Sequence, residues 1–512
     1  MSRRPAHELR RSAGFPRRSL LAGAAGAAAV SVIPRSALGG DGRPAPSDRI
    51  NLAFIGNGSQ GFRVMLGFLR HPDVQAVAVC DVNRESSDYP QWGATEFRDA
   101  TRGLLGATSG WDDLSTDRTI ELTRTLKVKA GVAGREPARR VVEAYYAKPK
   151  ASGQYKGCAA YADFRELLDK EAGVDAVVVC TGDHWHAPIS VAAMRKGRHV
   201  FCQKPMTRTV HEARRMAEVA RETGVATQVA VGNAASEATR VLREWVAAGV
   251  IGPIRQVVNW SSRPFWPQGL DRPKETPPVP EGLDWDLWLG PSPARPFHPA
   301  YHPFIWRGWH DFGAGAIGDM GCYSFDTIFR VLGLEAPATV EASSSEAYAE
   351  TYPQASLMRF AFPARGEAPP VTVSWYDGGL KPPRPEGLED EKKLPAEGLL
   401  FAGEAGSILC GFTGSDPILL PASKRQGFEP PPKTLPRSPG HEREWLEACK
   451  GGKEAPGANF GFSALVTETI LLGNVAQRAG ERLVWDRAGM KATNAPAAQP
   501  LIQPAYRAGW SL

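Results

Sequence analysis

Three glycines follow the first buried run of the chain at a fixed spacing. Residues 50–55 read as a short strand, the next six carry a GxGxxG pattern, and residues 62–70 read as a helix. In such a turn the first glycine permits a tight bend, the second lets backbone approach a pyrophosphate, and the third lets helix and strand pack closely. The start of the helix also favours an anion. The turn therefore predicts a dinucleotide cradle, formed by Gly56, Asn57, Gly58, Ser59, Gln60 and Gly61.

An aspartate ends the second predicted strand. This strand runs from Val74 to Val79 and continues into Cys80 and Asp81. An acidic residue at this distance from the glycine turn can accept hydrogen bonds from a ribose diol and repels a 2′-phosphate. Asp81 therefore favours NAD, while Arg84 nearby keeps NADP open. The alternative is that Asp81 only caps the following turn.

The elements around these residues alternate between strand and helix. After a polar insertion over about residues 88–150, with helical pieces such as 137–147, we predict a helix at 161–169, a strand at 174–180, a helix at 187–196, and strands at 199–202 and 225–231. This order predicts a doubly wound, mostly parallel sheet, whose ligands gather at the carboxyl ends of the strands. The candidate ligand contacts at those ends are Thr181, His186, Gln203, Lys204, Pro205 and Asn233.

A second pair of polar side chains lies much later in the chain. Asp319 and Tyr323 are four residues apart, so on a helix they share one face and can converge on one ligand. A tyrosine titrates near pH 10 unless shifted, and therefore needs a nearby cation to act as a base near neutrality. Lys204 could supply that charge. The alternative is that Tyr323 is a packing aromatic.

Length and composition bound the class of protein. The chain has 512 residues, which suggests two or more domains, and 42% apolar with 23% charged residues is ordinary globular composition. The formal net charge is +6, and the first eighteen residues hold six arginines against one glutamate. The rest is near neutral, which argues against nucleic-acid binding. Seven scattered cysteines do not suggest a disulfide framework. His184 and His186 have no third ligand at suitable spacing, so we predict no metal site there.

The N-terminal segment reads as a targeting signal. Arg17 and Arg18 precede Ser19-Leu20-Leu21 and a weakly apolar stretch that ends at Val30. Residues 1–40 therefore resemble a twin-arginine export signal, with processing near residues 37–40 and a periplasmic or otherwise exported mature protein. The alternative is a disordered cytosolic tail. No run reaches about 18 apolar residues, so we predict no stable membrane span.

Several motifs together resemble one known family. GNGSQG, CDVNRE, TGDHWHAP and FCQKPMT in the first half, and GAIGDMGCYSFD and SPGHEREWLEACKGG in the second, resemble the Gfo/Idh/MocA oxidoreductases over about residues 50–510. The resemblance implies a Rossmann domain over 48–233 and an α+β domain over 234–512 with a large, open, mainly antiparallel sheet. Strand-like runs at 254–260, 356–362, 371–376 and 399–411 agree with that second domain. It also implies an NAD(P)-dependent oxidoreductase acting on a secondary hydroxyl of a sugar or polyol, and a homo-oligomer formed through the open sheet.

The resemblance assigns roles to individual residues. Lys204 and Pro205 match the family's Glu-Lys-Pro motif, whose lysine reaches the nicotinamide ribose and the substrate hydroxyl, while Gln203 replaces the glutamate. By itself, loss of that negative charge would make Lys204 easier to deprotonate. Tyr323 stands where the family's Asp-x-x-x-His motif has its acid/base histidine, and some members use tyrosine there. The implied catalytic residues are Lys204, Asp319 and Tyr323, with His186 beside the cofactor and His184 structural.

Tryptophans are concentrated before the Asp319 segment. Trp260, Trp266, Trp285 and Trp288 are followed by Trp306 and Trp309. Such rings can form platforms for a sugar, and they can equally serve loop packing or a subunit contact. Arg307 and His310 are further candidates for substrate contact.

Export would constrain the chemistry. An exported enzyme has no abundant NAD(H) pool to exchange with, so we expect a tightly bound dinucleotide whose redox cycle closes on each turnover. Coupled oxidation and reduction of sugars would satisfy this, and so would a redox-neutral NAD-dependent glycosidase or lyase of the same family. The remaining alternative is a sugar-binding protein that retains the fold without turnover.

Overall fold

The computed structural model describes residues 48–122, 126–147 and 155–512, of which residues 50–512 form one compact unit. The predicted export signal and its processing site lie outside the described residues. The strands are β1 Ile50–Ile55, β2 Val74–Cys80, β3 Ser86–Gln91, β4 Ser115–Glu121, β5 Lys127–Ala133, β6 Ala159–Tyr161, β7 Ala176–Val179, β8 His199–Cys202, β9 Thr227–Val229, β10 Ile254–Trp260, β11 Thr339–Ser344, β12 Ser356–Phe362, β13 Val371–Tyr376, β14 Gly398–Gly403, β15 Gly406–Cys410, β16 Ile418–Leu420, β17 Leu483–Asp486 and β18 Lys491–Ala492. The helices are α1 Ser59–Phe68, α2 Glu96–Leu105, α3 Arg135–Tyr146, α4 Phe164–Lys170, α5 Asp183–Arg195, α6 Val210–Thr223, α7 Glu237–Ala247, α8 Trp285–Leu289, α9 Cys322–Leu332, α10 His441–Cys449, α11 Phe460–Ala479 and α12 Gln499–Ile502.

The first sheet is the predicted parallel sheet. Its six strands lie in the order β6-β2-β1-β7-β8-β9, and every neighbouring pair is parallel. The central strand β7 is buried at all four positions, as expected for a strand covered by helices on both faces. This order brings the carboxyl ends of β1, β2, β7 and β8 to one edge. The predicted doubly wound fold is confirmed.

The insertion differs from its prediction. It contains the expected helix α3, but also an antiparallel sheet in the order β3-β5-β4. Strand β3 has the sequence SSDYPQ, with no apolar alternation, so its pairing with β5 is set by tertiary contacts that a pattern does not report. The helix predicted at 161–169 also begins later, at Phe164, because Asp163 caps it by accepting the Arg165 N–H.

The second sheet has nine strands in the order β16-β15-β14-β10-β13-β12-β11-β17-β18. Only β10 and β13 among its neighbouring pairs are parallel, so the expected large, mainly antiparallel sheet is confirmed. Strands β10, β12 and β13 have the predicted bounds, whereas the run predicted at 399–411 is the hairpin β14–β15. Assembly through this sheet stays a prediction.

Helix α10 belongs late in the sequence but packs on the first sheet. The Trp445 ring lies 5.7 Å from Phe68 and 5.5 Å from Phe201, both ring centroid to centroid. On the same helix Arg443 pairs with Asp73, which also pairs with Lys450. The chain therefore returns to brace the nucleotide-binding half after the second sheet has begun.

The described residues were expected to contain no membrane span and no metal site. None of their helices is both long and apolar enough to cross a membrane. None of their His, Cys, Asp and Glu side chains form a group of three or more that could hold a metal ion. All seven cysteines are free; Cys180 and Cys449 are partly buried, and the others are buried.

Candidate functional site

A cleft of about 390 Å³ lies at the carboxyl edge of the parallel sheet. Its walls come from four parts of the chain: the glycine turn, the ends of β2, β7 and β8, the start of the insertion, and the second domain. The lining residues that the sequence predicted are Gly56, Gly58, Ser59, Gln60, Asp81, Thr181, Gln203, Lys204, Asp319 and Tyr323. Residues as far apart in the sequence as Gly56 and Tyr323 thus meet in one space, as the motifs predicted.

The glycine turn fits a pyrophosphate. Gly56 has a φ of +88°, and a Cβ there would lie 2.6 Å from the Cys180 carbonyl carbon. A Cβ on Gly61 would lie 1.8 Å from the Gly56 oxygen, so the third glycine serves close helix-to-strand packing as predicted. Helix α1 starts without a side-chain cap and without an acidic residue in its first turn. Its first N–H groups are therefore available to an anion.

The insertion lies directly over this turn. The Tyr89 ring comes within 2.7 Å of where a Gly58 Cβ would stand, and the Ser59 hydroxyl donates a hydrogen bond of 2.7 Å to the Pro90 carbonyl. Beyond them, the Trp92 ring lies 5.7 Å from Phe265 and 5.9 Å from Phe304, across the cleft in the second domain. Strand β3 and the residue after it thus cover the cradle that the glycines form.

Asp81 combines both roles weighed for it. Its Oδ2 accepts the Asn57 N–H at 2.6 Å and its Oδ1 accepts the Asn83 N–H at 2.8 Å, so the carboxylate does cap the turn. It also lines the cleft, where its remaining lone pairs can accept from a ribose diol. Burial raises the Asp81 pKa to about 6, against the lowering effect of those two N–H groups and of Arg135. Arg84 is exposed and does not line the cleft.

Lys204, Asp319, Tyr323 and Arg307 form the charged centre of the cleft. Lys204 Nζ donates to Asp319 Oδ1 at 2.8 Å and to the Asp319 carbonyl at 2.9 Å, and it lies 5.0 Å from the centroid of the Tyr323 ring. Arg307 Nε donates to the same Asp319 oxygen at 3.2 Å. Asp319 lies in a π-helical turn, Ile317–Gly321, that runs directly into α9 and Tyr323. Such turns are frequent at functional sites.

The protonation states of this centre correct one expectation. Burial lowers the Lys204 pKa, but Asp319 and the Tyr323 phenol outweigh burial and leave it raised. Lys204 therefore stays protonated near neutrality, because Asp319 supplies the negative charge that Gln203 lacks. Burial raises the Asp319 pKa, but Lys204 and Arg307 lower it below its usual value. Burial also raises the Tyr323 pKa more than Lys204 lowers it, so Tyr323 is a neutral phenol near neutrality.

Five residues predicted to bind the cofactor support the cleft without lining it: Asn57, Gly61, His186, Pro205 and Asn233. The His186 ring is buried, with Nδ1 2.8 Å from the Pro205 carbonyl and Nε2 3.2 Å from the Thr181 carbonyl. His186 therefore connects the ends of two strands. We expected it to lie beside the cofactor, but it does not line the cleft. Asn233 holds the Tyr323 carbonyl at 2.7 Å. His184 is structural as expected, between the Trp288 and Phe312 carbonyls.

Some of the tryptophans line the cleft, as a sugar platform would, and others serve packing. Trp266, Trp288 and Trp306 line the cleft, while Trp260 and Trp309 are fully buried in packing. Arg307 lines the cleft as predicted, but His310 does not.

Sequence reasoning missed several lining residues on irregular segments, namely Trp92, Arg263, Phe265, His302 and Phe304. His302 is partly buried, and neither of its ring nitrogens has a hydrogen-bond partner among the described residues, so it is available to contact a ligand. No spacing rule marks residues on such loops. For those in the second domain, the one sequence signal is the density of aromatic rings over positions 263–309; Trp92 has no such signal.

Two family profiles match the chain in succession. "Oxidoreductase family, NAD-binding Rossmann fold" of GFO_IDH_MocA matches residues 130–231, and the family's "C-terminal alpha/beta domain" matches residues 237–358. Residues 130–358 therefore resemble, in order, the two domains of the Gfo/Idh/MocA oxidoreductase family. The first match begins after most of the insertion, and the structure brings the earlier glycine turn and Asp81 into the same NAD-binding sheet.

Two proteins of known name are similar over part of the chain. A 1,5-anhydro-D-fructose reductase of Ensifer adhaerens is 32% identical over 35% of this chain and 44% of its own length. A glycosyl hydrolase family 109 protein of Stenotrophomonas maltophilia is 26% identical over 36% of this chain and 29% of its own. The chain thus spans less than half of either relative.

A solved structure supports the fold. The WlbA dehydrogenase of Bordetella pertussis, in complex with NADH and UDP-GlcNAcA, has a TM-score of 0.51 at 16% identity, over 86% of this chain and 99% of that one. At this identity the likeness concerns the fold alone.

Proposed function

We propose that this protein is an NAD-dependent oxidoreductase of the Gfo/Idh/MocA family acting on a secondary hydroxyl of a sugar or polyol. The observation that carries the proposal is that Lys204, Asp319 and Tyr323 meet in the cleft that also contains the glycine turn and Asp81. The name of the Ensifer adhaerens relative, a sugar reductase, supports the substrate class.

The residues of the site suggest how a proton moves. When bound, NAD(H) supplies or accepts the hydride. In the reduction direction the neutral Tyr323 phenol donates its proton to the substrate carbonyl oxygen, and the Lys204 cation stabilises the negative charge that develops on both oxygens. Asp319 holds Lys204 in place and keeps it protonated. In the oxidation direction Tyr323 must first lose its proton to solvent, and the phenolate, stabilised by the Lys204 cation, then takes the proton of the substrate hydroxyl.

We further propose that the dinucleotide stays bound and that the protein is exported by the twin-arginine route. Support for retention is the cover over the cleft: Tyr89 and Pro90 lie on the glycine turn, and Trp92 contacts Phe265 and Phe304 of the second domain. This cover is one strap across the cleft. A second strap is formed by two backbone hydrogen bonds between the domains: the Val82 carbonyl accepts the Asp284 N–H, and the Gly282 carbonyl accepts the Arg84 N–H. A cofactor beneath both straps can leave only when one of them opens.

Redox function and retention are tested together on the purified full chain. The protein is denatured and the released small molecules are weighed by mass spectrometry, and intact protein is mixed with a panel of sugars while nicotinamide absorbance is followed. We expect released NAD(H) and an absorbance change with some sugars. Protein that carries no dinucleotide contradicts retention. Protein that binds added NADH but never changes its absorbance contradicts the redox function.

Trp92→Ala tests the cover itself. Removing this ring separates the insertion from Phe265 and Phe304, so we expect NADH to dissociate faster, by about tenfold if the contact contributes about 1.4 kcal/mol. Dissociation is measured by NADH fluorescence after dilution. Trp111→Ala is the control, because Trp111 lies in the same insertion, against Arg140, and outside the cleft. Equal release from both variants contradicts the proposal.

Export is tested by substitution of the arginine pair. Arg17→Lys with Arg18→Lys should leave the protein in the cytoplasm of a host that has the twin-arginine route, while Arg10→Lys with Arg11→Lys should not. The protein is followed by immunoblot of cell fractions. Identical fractionation of the two variants contradicts the proposed signal.

A second candidate is redox-neutral cleavage of a glycoside, favoured by the similarity to the glycosyl hydrolase family 109 protein. Transient oxidation of a hydroxyl to a ketone would labilise a neighbouring bond, after which the ketone is reduced again. Release of sugar from a glycoside, with no net change in NADH after many turnovers, would favour this candidate over the dehydrogenase.

A further inference from the structure

A second, smaller cavity lies away from the cleft and is lined by two arginines. It measures about 20 Å³ and is enclosed by the start of α6, the end of α11 and the C-terminal segment. Its polar lining residues are Arg208, Thr209, His310, Tyr352, Asn474 and Arg478. We call it the arginine cavity.

The two arginines of this cavity have no anionic partner. Arg208 is 9% exposed; its Nη1 donates to the His310 carbonyl at 3.1 Å, and its Nε has no partner. Burial and the nearby Arg208 cation lower the pKa of Arg478. Within the described part of the chain, no carboxylate oxygen comes within 4.0 Å of either guanidinium. Arg478 lies at an exposed position on the rim, whereas Arg208 is mostly buried. A mostly buried guanidinium that has a second cation beside it and no counter-charge is costly, so this arrangement calls for an anion.

The carboxylates nearest to the cavity are already engaged. Glu212 accepts the N–H groups of Arg208 and Thr209 on one oxygen and the Tyr506 hydroxyl on the other. Asp311 is paired with the buried Arg295. Neither acid can therefore turn toward the arginines without breaking an existing contact.

His310 provides a second, independent sign of a ligand. It is 6% exposed, and neither ring nitrogen has a hydrogen bond of good geometry. Burial, with Arg478 and Arg208, lowers its pKa to about 3, and the Ala349 carbonyl opposes this only in part. The ring is thus neutral and has one N–H to donate. It stands edge to face with Tyr352, 4.5 Å between ring centroids.

The start of α6 adds to the positive potential. Thr209 caps this fourteen-residue helix, and Val210 is its first residue; both line the cavity. The positive end of a helix dipole therefore acts in the same direction as the two guanidiniums.

We propose that the arginine cavity binds one small monovalent anion of the size of chloride. A space of about 20 Å³ accommodates a single particle not much larger than water, which excludes a phosphate or sulfate. Arg208, Arg478 and His310 would donate to it. The inference does not rest on the proposed redox function.

The anion would brace the wall behind the active site. Asn474, which lines the cavity, donates to the Ala314 carbonyl at 2.8 Å. The Ala314 N–H in turn donates to the buried Asp183 at 3.1 Å, and the chain continues from Ala314 into the turn that carries Asp319. We therefore expect anion binding to stabilise the fold and to leave the charges of the active site unchanged.

Thermal unfolding in different salts tests the proposal. At constant ionic strength, replacing sodium methanesulfonate by sodium chloride or bromide should raise the unfolding midpoint by about 1–3 °C in a saturable manner. Arg478→Gln should remove that dependence. Arg482→Gln is the matched control, because the Arg482 side chain donates to Thr339 and does not line the cavity; it should keep the dependence. The same salt response in Arg478→Gln as in the wild type overturns the proposal.

A bromide soak gives an answer that does not depend on a variant folding. In crystals of the full chain soaked in sodium bromide, we expect an anomalous peak between Arg208, Arg478 and His310. A well-ordered water there with no bromine signal overturns the proposal.

Discussion

The Lys204 ammonium lies 2.8 Å from Oδ1 of Asp319, a residue 115 positions later in the chain. The lysine follows strand β8 of the parallel sheet, and the aspartate lies in the π-helical turn before α9. Both side chains are mostly buried, at 15% and 12% exposed, and Arg307 adds a second cation to the same carboxylate. This contact links the nucleotide-binding half to the second domain, and Tyr323 lines the cleft beside it.

Tyr323→Phe should lower the rate of sugar turnover by about 10²–10⁴-fold, because it removes the proposed proton donor without removing the ring. In the reduction direction the wild-type rate should fall only at alkaline pH, since burial raises the pKa of this phenol above its ordinary value. The variant should lose that alkaline limb. Rates are measured from nicotinamide absorbance across the pH range.

Tyr376→Phe is the control for this change. Tyr376 ends strand β13 and does not line the cleft, so its substitution should leave the pH profile in place. Near-normal turnover by Tyr323→Phe would remove Tyr323 from the mechanism.

Gly61→Ala should prevent NADH binding and destabilise the protein. The added methyl would lie 1.8 Å from the Gly56 oxygen, which is backbone, so strand and helix must separate. Gly67→Ala on the same helix has nothing within 4 Å of its new methyl, and should be neutral or stabilise by up to about 1 kcal/mol. Thermal unfolding and NADH fluorescence compare the two. Similar losses in both variants would contradict the packing role of Gly61.

Asp81 should make NADH binding pH-dependent. Its pKa in the free protein is raised to about 6 by burial, and ribose hydroxyls donate to the ionised form. Affinity for apoprotein should therefore fall by up to about tenfold per pH unit below pH 6. Asp81→Asn should flatten this dependence and weaken discrimination against NADPH, as measured by fluorescence titration.

The same pKa predicts an opposite effect on stability. A carboxyl whose folded pKa is raised opposes folding when it ionises, progressively between about pH 4 and pH 6. Asp81→Asn apoprotein should therefore unfold at an equal or higher temperature than the wild type at pH 7. A lower unfolding temperature would show that the turn depends on the charged form.

The sequence was enough to predict the elements and residues that are marked by a local pattern. Strands β1, β10, β12 and β13 have the bounds that hydrophobic runs predicted, and the glycine spacing located the cradle because each glycine answers a local steric demand. Lys204, Asp319 and Tyr323 were found by their motifs, and the structure brings them together. Features that depend on a local steric or chemical requirement could therefore be predicted from the sequence.

What escaped prediction depends on contacts between distant segments. Strand β3 has no apolar alternation, so neither its pairing with β5 nor the position of Trp92 across from Phe304 could be read from the insertion. His186 occupies a motif position but is held by two carbonyls behind the cleft. The charge state of Lys204 likewise depends on Asp319, and not on the neighbouring Gln203 to which the sequence drew attention.

Asp73→Asn should destabilise the protein by loosening α10 from the parallel sheet. Burial raises the pKa of this carboxyl, but hydrogen bonds from Arg443 and Lys450 outweigh burial and bring it to about 2. Because the folded pKa is depressed, the stabilisation is fully present above about pH 4 and is lost as the pH falls toward 2. With both cations about a quarter exposed, we expect a loss of about 1–2 kcal/mol at pH 7.

Denaturant unfolding of Asp73→Asn and wild type is compared from pH 7 down to pH 3, and the gap between them should narrow below about pH 4. Asp169→Asn is the matched control, since Asp169 is 67% exposed and pairs only with Lys196 at 2.7 Å. Exposed pairs of this kind contribute little, so the control should change stability by less than about 0.5 kcal/mol. A gap that does not change with pH would mean that the Asp73 charge does not anchor α10, and that the Trp445 packing against Phe68 and Phe201 holds the helix by itself.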